Sequence, residues 1–182
     1  YGIILRNQSF NGLFINTFRT VQEKMRQYSP LTIVSYVIGP ILIISSHFGS
    51  LLVFTTGLSW GAVVWILFLY LIRMLGTTAI YHRLLTHKSY QAPEAVLWLG
   101  CIVTASAGQM GPSWWKAHHM HHHQHSDGEL DTHSPNTQSN AIAGFYWSQG
   151  GWLLSPNFLP DKLPSDVEND RVLKIIDRLH FV

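Results

Sequence analysis

Between Gln27 and Ile72 the chain carries no aspartate, glutamate, lysine or arginine. That run of 46 residues would reach about 69 Å as a single helix at 1.5 Å per residue. One membrane crossing takes about 20 apolar residues, so one helix is too few and two joined by a turn fit the length. Turn material stands at Ser45-Ser46-His47-Phe48-Gly49-Ser50 and again at Thr55-Thr56-Gly57. The expected spans are roughly Leu31–Phe48 and Leu52–Leu75. A buried soluble hairpin of this size would need a larger partner core than 182 residues supply.

Charge places the ends. Arg19, Lys24 and Arg26 precede the first span, Arg73, Arg83 and Lys88 follow the second, and the loop between holds none. The excess of basic residues on cytoplasmic loops puts both ends on the cytoplasmic side. No proline falls between Trp60 and His87, so the second helix is expected to run past the bilayer and lift His82 and His87 above it. Gln91-Ala92-Pro93 ends it, and Pro93 suits the first turn of the next helix. Glu94–Ala107 is apolar but too short to cross, which points to a helix at the interface. Further on, Ala141–Leu154 is aromatic and compact, and Ser155–Ser165 holds three prolines and reads as loop. Asp166–Leu179 has the pattern of an amphipathic helix with Asp166 as N-cap.

The fold class expected is all-α: an integral membrane helical hairpin with helices extended into a cytoplasmic, histidine-rich cap. Charged residues make up only 12% of the chain and the net charge is +2. With no basic patch, nucleic acid is excluded as a partner. The single cysteine, Cys101, excludes an internal disulfide framework and a cysteine-based zinc site.

Seven of the eleven histidines lie between His118 and His133. Imidazole suits iron, copper, zinc and nickel, so a nitrogen-ligated metal site is expected at the membrane edge. His119, His122 and His123 stand at i, i+3 and i+4, the helical spacing that turns side chains to one side. His118, His121 and His122 satisfy the same spacing. His82 and His87 are five apart, about 140° around an α-helix, which allows either two ions or one ion approached from two sides.

The stretch Gly76-Thr77-Thr78-Ala79-Ile80-Tyr81-His82-Arg83-Leu84-Leu85-Thr86-His87 resembles the first histidine box of the membrane-bound fatty acid desaturases, the acyl-CoA Δ9 type in particular. Gly111-Pro112-Ser113-Trp114-Trp115-Lys116-Ala117-His118-His119-Met120-His121-His122-His123 resembles the second box. His125-Ser126-Asp127, Asp131-Thr132-His133-Ser134-Pro135 and Gly144-Phe145-Tyr146-Trp147 continue the likeness, which covers roughly Arg73 to Leu179. Its flanks favour the register His119, His122, His123. Gln149 stands where a histidine is expected.

The resemblance implies two non-haem irons held by histidines of three boxes, with His82, His87, His119, His122 and His123 as ligands here. It implies O2-dependent insertion of a cis double bond into a saturated acyl chain carried by coenzyme A or a lipid. Electrons would come from a donor such as cytochrome b5, rubredoxin or ferredoxin. Asp127, Asp131 and His133 become candidates for supporting the ligands, Trp114 and Trp115 for lining the acyl channel or an aromatic belt, and Arg83 for meeting a head group or lipid phosphate. The domains would be a cytoplasmic segment over 1–30, a transmembrane hairpin ending in the first box over 31–90, and an interfacial helix with the second box over 91–182. The setting would be a bacterial inner membrane or the endoplasmic reticulum. The third box is not in the sequence, so the expectation is an N-terminal portion of the enzyme, inactive as it stands. A hydroxylase, ketolase or sterol desaturase of the same superfamily, and a non-catalytic metal-binding membrane protein, are the competing readings.

Overall fold

The computed structural model describes residues 19–26, 28 and 30–180; most of the segment read as cytoplasmic over 1–30 therefore lies outside the described residues. Among them every element is a helix and there is no strand. Helix α1 (Pro30–Ser50) has 21 residues and carries Pro40 inside. The serines that looked like turn material do not break it. Ser46 and Ser50 donate their hydroxyls to the carbonyls of Ile43 and His47, a back-bond that lets serine stay helical. The break comes instead after the short helix α2 (Val53–Thr56). There Gly57 takes φ 74°, a left-handed value that glycine adopts at no steric cost.

Helix α3 (Trp60–Leu75) starts eight residues later than the expected second span, with the Ser59 hydroxyl accepting from the Ala62 N–H at 3.1 Å. It continues without interruption into a π-helix (Gly76–Thr86), giving 27 continuous residues from Trp60 to Thr86. Among the described residues two helices are thus long and apolar enough to cross a membrane. Their side chains are not covered by protein: Trp60, Val64, Trp65, Leu67, Leu71 and Leu75 are all exposed. A contiguous apolar surface of this kind is far larger than soluble monomers tolerate.

The remaining helices form a cap. Helix α4 (Glu94–Ala105) follows Pro93, which is extended and serves as N-cap rather than lying in the first turn. It crosses the π-helix closely because glycines stand at the contact. A Cβ on Gly76 would come within 2.7 Å of Thr104 Oγ1, and one on Gly100 within 2.6 Å of Ile80 Cδ1. Helix α5 (Pro112–His125) carries the histidine run, and helix α6 (Ala141–Gln149) the aromatic stretch.

The amphipathic segment after the prolines differs from its expected form. It is divided into α7 (Ser165–Glu168) and α8 (Arg171–Leu179), and Asp170, not Asp166, caps the longer piece through Leu173 N–H at 3.0 Å. Asp166 is drawn to the Lys116 ammonium instead. The buried side of α8, Val172, Leu173 and Ile176, packs with Ile80, Tyr81, Leu85 and Cys101 in one core. A second core gathers Tyr28, Met110, Trp114, Phe158 and Leu159. Between them these cores fix the π-helix and α5 side by side.

Candidate metal centre

The π-helix changes the geometry expected of the first histidine pair. Its bonds run from residue i to i+5, as in His87 N–H to His82 O at 3.0 Å. Residues five apart then stand nearly one above the other. The angle of about 140° expected for an α-helix is closed, and the rings of His82 and His87 lie 4.7 Å apart.

On α5, His119 and His123 share a face one turn apart, with ring centroids at 4.5 Å. That face meets the π-helix: His119 lies 4.5 Å from His82 and His123 lies 4.9 Å from His87. One nitrogen from each of the four imidazoles falls within 4.8 Å of the others. Two donors on one ion at metal–nitrogen bonds of about 2.1 Å can be no more than about 4.2 Å apart. Closing that difference needs only small ring rotations. The donor set is four neutral-capable imidazoles, which fits a first-row transition metal. Burial, followed by the neighbouring imidazoles of His82, His123 and His87, pushes His119 down to about 4, so it is in the neutral form a metal requires.

His122 does not join this group. It points to Asp131 and His133, so the HxxHH run divides between two clusters. Its Nδ1 lies 2.8 Å from Asp131 Oδ2, and the Asp131 side chain is fully buried. The same carboxylate accepts the Asp127 N–H at 3.1 Å and the His133 N–H at 3.4 Å, while the His133 ring stacks on His122 at 4.8 Å. A carboxylate holding Nδ1 fixes the tautomer and leaves Nε2 as the nitrogen able to bind a metal. Asp127 is placed differently: φ is 59°, and its carboxylate turns to Ser134 and Asn136.

The other histidines of the run go elsewhere. His118 is buried, with Nε2 3.1 Å from Phe158 O and its ring 4.5 Å from Trp114. His121 Nε2 lies 2.8 Å from Leu130 O. Trp115 stacks on His119 at 4.4 Å and 25°, against the four-imidazole cluster. Trp114 is buried in the second core, with its indole N–H on Phe158 O at 2.7 Å, and so forms no surface belt. Arg83 is exposed on the π-helix.

Two residues at this site went unnoticed in the sequence. Lys116 is 3% exposed, with its ammonium between Leu85 O and Asp166. Tyr81 is fully buried and donates its hydroxyl to Met110 O at 3.3 Å. The available signal for Lys116 was its position as the lone basic charge in an aromatic and histidine run.

The family model that describes fatty acid desaturases matches residues 58–178, from just before α3 into α8. The chain belongs to the fatty acid desaturase family. Desaturases similar to it include the sn-1 stearoyl-lipid 9-desaturase of Anabaena variabilis, 34% identical over 78% of this chain and 52% of that protein. The sn-2 palmitoyl-lipid 9-desaturase of Nostoc is 38% identical over 54% of this chain and 33% of its own length. The acyl-CoA Delta(11) desaturase of Spodoptera littoralis is 35% identical over 61% of this chain and 31% of its own length. The chain thus spans about half, or less, of the desaturases it matches. No solved structure matches it.

Proposed function

We propose that this chain supplies the first two histidine boxes of an acyl desaturase, which inserts a cis double bond into a saturated acyl chain in unsaturated fatty acid biosynthesis. The observation that carries this reading is the convergence of His82 and His87 with His119 and His123, from two helices, at the end of a membrane-length apolar helix. Those four residues would hold one iron, and His122, braced by Asp131, would contribute to a second. When bound, the iron pair supplies the oxidising power for removing hydrogen from two adjacent methylenes, with O2 reduced to water.

The protein's own groups prepare that chemistry. The Asp131 carboxylate orients His122 and, at longer range, His133. Trp115 lies flat on His119 and presents an apolar wall beside the cluster, suited to keeping water from a bare hydrocarbon. Holding one methylene against the centre and excluding its neighbours favours a single position. The basic residues flanking both spans favour a cytoplasmic position for the π-helix where it leaves the membrane. The acyl carrier, coenzyme A or a membrane lipid, and an electron donor such as cytochrome b5, rubredoxin or ferredoxin complete the proposed system.

The test is lipid analysis in cells expressing the whole polypeptide to which this chain belongs. New monounsaturated chains are expected, together with their disappearance in His119→Ala and a fall in bound iron by elemental analysis. Hydroxylated chains without a new double bond would overturn the assignment in favour of oxygen insertion.

A further inference from the structure

Two contacts join the segments that bear the histidines, both of them ahead of His119 on the α5 side. At the start of α5, the Tyr81 hydroxyl donates to Met110 O; Met110 is itself held at φ 61° just before Gly111 and Pro112. At the far end of the π-helix, the Lys116 ammonium donates to Leu85 O at 2.8 Å. Leu85 lies in the last turn, where no helical N–H follows five residues on, so its carbonyl needs an outside donor. Leu85 sits between His82 and His87, and Lys116 is one turn before His119. One tether would let the helices pivot about it. Two stop both pivoting and sliding.

The second tether uses a costly group. The Lys116 side chain is 4% exposed, and Asp166 Oδ2 lies 2.7 Å from its Nζ. Lys88, directly after His87, reaches the same carboxylate oxygen at 2.9 Å, so Asp166 holds one lysine from each box segment. Taking an ammonium out of water is expensive even when it is paired, and an apolar side chain would fill the position more cheaply. Packing alone therefore does not account for a lysine there.

We propose that Lys116 is a positioning residue: its buried ammonium, anchored by Asp166, locks the end of the π-helix to α5 and sets the approach of His82 and His87 to His119 and His123. The inference rests on the reading of these four imidazoles as a metal site. It is tested with the whole polypeptide to which this chain belongs, purified metal-free in detergent. Cobalt(II) binding is followed by its visible absorption, and thermal unfolding by circular dichroism. Lys116→Met should weaken cobalt binding roughly 10- to 100-fold, the usual cost of losing a group that supports ligands. The double variant Lys116→Met/Asp166→Asn removes the buried pair together, and the one charge that loses its partner, Lys88, has a side chain 69% exposed to water. It should regain the parent's melting temperature while its cobalt affinity stays low and its spectrum altered.

The inference is overturned by parent-like binding in Lys116→Met. It is equally overturned if affinity follows melting temperature through both variants, lost and regained or lost twice, because the pair would then serve stability alone. An unsubstituted chain that binds no cobalt would instead overturn the metal-site reading, and the positioning role with it, before any variant is made.

Discussion

His118 and His119 are neighbours in sequence and have opposite tasks, which a row of histidines does not reveal. His119 faces three other imidazoles, whereas His118 is pressed between Trp114, Trp152 and Phe158 O. Burial pushes His118 down to about 4, against about 6.5 in an unfolded chain. Between those values the unfolded state binds the additional proton, so stability falls as pH drops from about 6.5 toward about 4. By linkage the loss from this one group is roughly 3 kcal/mol, and His119 acts in the same direction. His118→Gln removes the titration. Its melting temperature should therefore vary less than the parent's between about pH 7 and about pH 5, measured by thermal unfolding in buffered detergent. An equal acid sensitivity in both proteins would show that other groups dominate.

The π-helix is the element that most alters what the sequence suggests. Periodicity is read against α-helical geometry, and a spacing of five looks divergent by that standard. Only the packing of Gly76–Thr86 against α4 and α5 shows the wider turn that brings His82 and His87 together. Close approach to α4 depends on Gly76, where a Cβ would also meet the Thr104 backbone nitrogen at 3.3 Å. Gly76→Val should cost about 1–3 kcal/mol of stability through overpacking. Gly49→Val, with nothing within 4 Å of its Cβ, should be close to neutral in the same thermal melts. Similar losses at both positions would refute the crossing. The neighbouring helix α5 has a different dependence. Its N-cap Gly111 has no side chain to offer, and Asp177, on α8, accepts the Ser113 N–H at 3.0 Å in its place. No local capping pattern announces a donor–acceptor pair 64 residues apart.

At the scale of the molecule, an exposed apolar stem carries a cap with two small cores. The stem was legible because lipid exposure requires apolar side chains all round, a requirement written position by position. Leu67, 55% exposed on α3, should meet lipid, and Leu67→Lys should oppose insertion by about 2.5–3.5 kcal/mol. An increase in the alkali-extractable fraction of the membrane-bound protein measures it, and unchanged extraction would place Leu67 against protein instead. The uncharged run and the histidine spacings were enough to indicate an all-α chain with helices of membrane length and a histidine cluster compatible with metal, because length and ligand type are properties of the residues themselves. Which imidazoles share a centre, that His122 turns to Asp131, and that Asp166 serves Lys116 rather than a helix end were decided by tertiary packing. Those outcomes depend on groups distant in the chain competing for the same partner, and local pattern carries no record of that competition.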